Sequence, residues 1–273
     1  MVFLYKVASI HFTNDCNFNC PFCYRDKGKA TMDKDLFLSL PRYLKDVTDQ
    51  VALGGGEPTL YPELVQQFAK ECRDYDLTCN LTTNGFLLRE WEDEEIERFC
   101  ENLTMVSVSL DQEKYKNWSC GYEYLESCKK VQKHSLVGCN LLIDQDSFVN
   151  GNLIRLVDRL FEKGLDRVFA LYPKNIQAVD ILPHENYYIY LSSKHTKFYV
   201  DDLTFKILDE GKYGGWSEPC HYGKDIISIN EKGQVSGCSF SDDYQLTLEK
   251  PGDILKVNDV CFEDRFSCPY LKR

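Results

Sequence analysis

From the start of the chain to about residue 172, short runs rich in β-branched and aromatic residues alternate with longer amphipathic runs of helical period. The strand-like runs are Tyr5 to Phe12, Val51 to Leu53, Leu77 to Thr82, Thr104 to Leu110, Val137 to Ile143 and Asp166 to Leu171. Helical periodicity occupies Asp35 to Val47, Pro62 to Tyr75, Trp91 to Cys100, Tyr122 to His134 and Phe148 to Lys163. Repeated βα units build a parallel sheet, because a parallel strand pair needs a crossover long enough to hold a helix. The pattern predicts an α/β fold, a partial (β/α)6 TIM-like barrel, with functional residues at the carboxyl ends of its strands.

The alternation breaks after residue 173, where Pro173, Pro183, the tyrosines Tyr187, Tyr188 and Tyr190, and Gly211, Gly214 and Gly215 intervene. This predicts a barrel domain over residues 1–185 and a linker with a small C-terminal module over 186–273. The module holds one hairpin signal, Asp225 to Ile229 and Gln234 to Cys238 around Asn230-Glu-Lys-Gly233. Little apolar sequence surrounds it, and a module so small usually needs a staple.

Composition narrows the function classes. A net charge of -11 argues against a nucleic-acid surface, which depends on Lys and Arg neutralising phosphates. No apolar run reaches the length of a membrane span, and Met1 to Lys6 leads into polar sequence where a signal peptide would have its apolar core. The expected location is the cytoplasm, with neither nucleic acid nor membrane as a partner. There the 13 cysteines would be thiols or metal ligands, since disulfides do not persist in reducing compartments.

Three of those cysteines, Cys16, Cys20 and Cys23, lie in one short stretch, Asp15-Cys-Asn-Phe-Asn-Cys-Pro-Phe-Cys-Tyr24. Thiolates are the usual ligands of a four-iron cluster, and three of them leave one iron open. The same spacing also suits a structural zinc site with His11 as fourth ligand. These residues alone leave both readings open. A second motif, Leu53-Gly-Gly-Gly-Glu-Pro58, follows the second strand run. Its glycines permit positive φ and close backbone approach to a ligand, or they form a plain turn before a helix opened by proline.

In this order, CxxxCxxC after the first strand and Gly-Gly-Glu-Pro after the second, the chain resembles the radical S-adenosylmethionine (SAM) superfamily. Thr82-Thr-Asn-Gly85 and Ser107-Val-Ser-Leu-Asp111 resemble that family's later strand ends. The resemblance implies that Cys16, Cys20 and Cys23 hold a 4Fe-4S cluster and that its open iron binds the amino and carboxylate groups of SAM. It implies that the backbone around Gly55, Gly56 and Glu57 receives the amino group. It places Ser109 near the carboxylate or ribose, Asn84 or Asp111 near the ribose or substrate, and Phe22 beside the adenine. Many relatives carry an arginine beyond the fourth strand for the SAM carboxylate, whereas Gln112 to Tyr122 offers only Lys114 and Lys116.

Cys220, Cys238, Cys261 and Cys268, with Cys220-His-Tyr-Gly223 and Gly233-Gln-Val-Ser-Gly-Cys238, resemble the auxiliary-cluster modules called SPASM or, when short, twitch. That implies one auxiliary 4Fe-4S cluster held by thiolates alone, which would staple the module; structural zinc is the alternative. A fully ligated cluster suits electron acceptance, so the implied reaction is SAM cleavage, hydrogen abstraction and net oxidation. The substrate would be a small molecule, as for aminocyclitol alcohol dehydrogenases, or a peptide, and the electron donor flavodoxin- or ferredoxin-like. A non-catalytic electron-transfer protein is the competing class. Cys72, Cys79, Cys100, Cys128 and Cys139 read as buried thiols, and Cys120 as one near the catalytic face. Tyr172, Lys174, His184, His221 and the tyrosine cluster are candidates for lining the substrate cavity but read first as packing or surface residues, and Trp91 to Glu95 reads as a helix start.

Overall fold

The computed structural model describes residues 5–111, 118–174, 178–211 and 216–271, and for 118–124 the backbone alone. Lys114, Lys116, Gly214, Gly215 and the side chain of Cys120 lie outside the described residues. The fold is α/β with a mostly parallel sheet. The chain divides into two compact units: Met1–Thr83, Trp91–Val106 and His221–Asp264 form the first, and Asn84–Glu90, Ser107–Cys220 and Arg265–Arg273 the second.

In the first unit, β1 (Val7–His11), β2 (Gln50–Gly54) and β3 (Thr78–Thr83) run parallel, with Ile10 paired to Leu53 and Leu53 to Leu81. Between them lie α1 (Lys34–Ser39), α2 (Pro41–Leu44) and α3 (Pro62–Asp74). The predicted helix over Asp35 to Val47 is thus two short helices meeting at Leu40, since Pro41 has no N–H to continue the first. Ala8, Ile10 and Phe12 bury one face of β1, where Phe12 stacks on Phe37 at 4.7 Å and Phe37 on Phe68 at 4.2 Å between ring centroids. The helix α4 (Asp93–Cys100) starts at a capping box of Glu92 and Glu95, as its acidic start suggests. The hairpin strands β8 (Ile226–Ile229) and β9 (Gln234–Ser236) belong to this unit, followed by β10 (Leu246–Thr247). The strand β8 pairs in parallel with β1, Ile10 opposite Ile229, so β1 is an interior strand flanked by β8 and β2.

The strand β4 (Met105–Leu110) begins in the first unit and ends in the second. The second unit contains α5 (Trp118–Gln132), β5 (Leu136–Leu142), α6 (Asn152–Glu162) and β6 (Arg167–Leu171). Beyond residue 173 the alternation continues with α7 (Glu185–Lys194), β7 (Phe198–Val200) and α8 (Asp202–Glu210). The strands β5, β6 and β7 are parallel neighbours. Pro173 lies in the link after β6, and Pro183 in a single turn just before α7, so neither interrupts an element.

Candidate cluster and cofactor site

The cysteine loop leaves the carboxyl end of β1 and is closed at its base by backbone pairing. Met32 N–H donates to Phe12 O at 2.7 Å and Asn14 N–H to Ala30 O at 3.0 Å, while the Asn14 Oδ1 accepts Ala30 N–H at 2.8 Å. Within the loop Cys23 N–H donates to Cys20 O at 3.1 Å. Cys16 and Cys20 are half-buried and Cys23 is exposed, whereas Cys72, Cys79, Cys100, Cys128 and Cys139 are buried. Burial pushes the Cys100 and Cys128 thiols up to about 12, which keeps them protonated and inert. Among the described residues the accessible thiols are Cys16, Cys20 and Cys23 together with Cys220, Cys238, Cys261 and Cys268. Phe22, between Cys20 and Cys23, is half-buried.

The glycine turn after β2 packs directly on this loop. Gly56 N–H donates to Thr13 O and Glu57 N–H to Asp15 O, each at 2.7 Å. A Cβ on Gly56 would stand 1.9 Å from Asp15 O, and one on Gly55, whose φ is +135°, 2.4 Å from Thr13 O. These glycines are required first by the backbone at residues 13–15, a constraint the sequence alone did not reveal. Glu57 is wholly buried, and its Oε1 accepts the Thr59 N–H at 3.0 Å and the hydroxyls of Thr59 and Thr83 at 2.6 Å each. The Tyr61 hydroxyl donates to Asp15 Oδ2 at 3.0 Å. Thr59, Thr83 and Tyr61 were not singled out by sequence, although Thr83 belongs to the Thr82-Thr-Asn-Gly85 motif.

His11 lies at the end of β1, opposite Gly54 in register, with its Nε2 3.1 Å from Ser9 Oγ and its ring edge-on to Tyr24. Burial, with a smaller contribution from the Arg25 charge, lowers its pKa to about 3, so it is neutral. Among the described residues no group of three or more His, Cys, Asp or Glu side chains is gathered as a metal-ion site. Ligand thiols converge as the metal binds, so the test of fit is donor chemistry and space. Three accessible thiols on one pinned loop, beside a glycine turn without side chains, fit an iron-sulfur cluster and a ligand on it.

The remaining predicted residues divide between the units. Asn84, Ser109, Asp111, Cys220 and Cys268 belong to the second, where Asn84 Oδ1 accepts the Phe86 N–H at 2.9 Å and Cys220 N–H donates to Arg265 O at 2.7 Å. Cys238 and Cys261 belong to the first. There Gly223 N–H donates to Gly237 O at 2.9 Å, and a Cβ on Gly223 would stand 2.1 Å from Phe262 Cγ. The neighbours of Cys238 and Cys261 thus meet on one glycine.

The profile of the Radical SAM superfamily matches residues 10–173. This chain belongs to the radical SAM superfamily. Members carry a SAM-binding 4Fe-4S cluster, in accord with the thiol loop and its glycine turn. The GTP 3',8-cyclase of Campylobacter jejuni subsp. doylei is 31% identical over 292 residues, which cover 93% of this chain and 87% of that protein. A probable GTP 3',8-cyclase of Pyrococcus abyssi is 30% identical over 125 residues, 44% of this chain and 40% of its own length. Among solved structures, Streptococcus suis SuiB bound to S-adenosylmethionine superposes with a TM-score of 0.70 at 17% identity, over 89% of this chain and 63% of that one. The superposition shows a shared fold over most of the chain. No helix among the described residues is long and apolar enough to cross a membrane.

Proposed function

We propose that Cys16, Cys20 and Cys23 hold the 4Fe-4S cluster with one iron left to SAM, and that the chain takes a hydrogen atom from its substrate. The observation that carries this reading is the seating of Gly55 and Gly56 on the backbone at residues 13–15, which fixes the glycine turn beside the thiol loop. Held by Cys16, Cys20 and Cys23, the reduced cluster would supply the electron for reductive cleavage of SAM, the chemistry by which hydrogen is taken from an unactivated C–H bond. The protein contributes placement and exclusion of water. Backbone groups at Gly55, Gly56 and Glu57 would receive the SAM amino group, Phe22 would pack beside the adenine, Ser109 would lie near the carboxylate or ribose, and Asn84 or Asp111 near the ribose or substrate. Thr59 and Thr83 keep Glu57 in place and so hold the turn in shape.

Cys220, Cys238, Cys261 and Cys268 are assigned to one auxiliary 4Fe-4S cluster, and the reaction to oxidation of a small molecule with a flavodoxin- or ferredoxin-like donor. Four thiolates close such a cluster to substrate and leave electron acceptance as its role. The relatives named GTP 3',8-cyclase support a second reading, a purine nucleoside triphosphate substrate rearranged without net oxidation. Anaerobic incubation of the reduced protein with SAM tests the common core. The expected result is 5'-deoxyadenosine and about eight irons per chain, with both SAM cleavage and about four irons lost on Cys16→Ala. Intact clusters without 5'-deoxyadenosine would instead indicate an electron carrier. Deuterium transfer into 5'-deoxyadenosine from labelled alcohols and sugars, GTP or peptides separates the substrate classes.

A further inference from the structure

The base of the cysteine loop is not its only attachment. Arg25, two residues after Cys23, reaches into the turn between β8 and β9, where its Nη2 lies 2.7 Å from Glu231 Oε2. The two side chains are only 14% and 8% exposed. Beside them the Tyr24 and Phe240 rings lie 4.0 Å apart between centroids, Phe240 standing two residues after Cys238. All of these residues belong to the first unit.

Glu231 is held where Arg25 finds it. Asn230 Oδ1 accepts the N–H groups of Lys232 at 3.0 Å and Gln234 at 2.9 Å, and Gly233 takes φ +72° to close the turn. Exposed ion pairs hold chains loosely, but here each charge is largely withdrawn from water, so a lone partner would be left costly and uncompensated. The pair and the ring contact therefore act together: either the loop lies on the hairpin turn, or both charges must return to solvent. The portion of the loop beyond this attachment, Asp26 to Ala30, is exposed.

We propose that Arg25 and Glu231 are positioning residues of the SAM-binding cluster, through which the C-terminal hairpin sets the seat of Cys16, Cys20 and Cys23. The tilted contact of Tyr24 with Phe240 extends this hold to the segment carrying Cys238. The inference rests on those three cysteines being the cluster ligands.

The test uses the full chain with Arg25→Glu, Glu231→Arg, the double exchange, and the milder Glu231→Gln. Tryptic cleavage after Lys27 and Lys29, mapped by mass spectrometry on cluster-free protein, reports whether the loop is held. The electron paramagnetic resonance spectrum of the reduced reconstituted protein, with and without SAM, reports the cluster's seat. Each single reversal is expected to speed cleavage by about tenfold or more and to alter the SAM-induced spectral change, and the double exchange to restore both. Glu231→Gln shifts both in the same direction by less, and near-UV circular dichroism identifies any reversal that fails to fold. Wild-type cleavage rates and spectra in folded single variants would overturn the proposal, as would a folded double variant that restores neither. A wild-type protein that takes up no cluster would refute the cysteine assignment, while the cleavage rates still decide the attachment.

Discussion

Gly56 is the residue with the least freedom around the site, since any β-carbon there meets Asp15 O at 1.9 Å. Gly56→Ala is expected to cost more than about 2 kcal/mol by overpacking and to weaken SAM binding, measured by urea unfolding and by calorimetry on the reconstituted protein. Gly28→Ala, in the exposed part of the loop, meets only the Asn14 side chain and should cost less. His11 supplies a prediction with a definite sign. Its pKa falls from 6.5 in the unfolded chain to about 3 in the fold, so between these values the unfolded state binds more protons and stability falls as pH falls. At pH 5 the wild type should lose about 2 kcal/mol relative to pH 7 beyond any loss in His11→Gln, as read from urea unfolding at the two pH values. The sequence named His11 as a zinc ligand or a strand residue; the fold makes it a neutral, buried strand residue whose Nδ1 has no hydrogen-bond partner.

At the scale of elements, the motifs work because strand ends are cross-tied. Glu57 follows β2 and Thr83 ends β3, and the 2.6 Å bond between them fixes the glycine turn to the neighbouring strand. Thr83→Val removes that donor while keeping shape, and should cost about 1 to 3 kcal/mol with a raised SAM dissociation constant; an unchanged constant would show that the tie does not reach the cofactor. The order and type of the first six strands were legible because each satisfies its own local periodicity. Less legible were the break at Pro41, hidden within an apolar run, and α7, β7 and α8. Prolines and clustered tyrosines masked those three, yet Tyr188 is buried while Tyr190 is exposed on the same helix.

Across the whole molecule, the hairpin expected in a separate C-terminal module continues the sheet of the first unit, with β8 beside β1. A chain ending at Pro219 would leave one edge of β1 unpaired and remove the partner of Arg25. It is expected to lose the cooperative thermal transition of the full chain, followed by circular dichroism; a transition of undiminished sharpness would show that the hairpin is dispensable. By contrast, Cys220→Ala with Cys238→Ala should lower iron from about eight to about four per chain and leave SAM cleavage largely intact.

The sequence by itself determined the alternation of strands and helices, the three-thiol loop, the glycine turn and the superfamily. Each of these is encoded within a few tens of neighbouring residues, where periodicity, turn chemistry and ligand spacing operate. Only the tertiary structure decided that Gly56 faces a carbonyl of the cysteine loop, that Thr83 holds Glu57, and that Glu231 meets Arg25 across more than two hundred residues of chain. Such contacts depend on strand order and register, and no local pattern carries them.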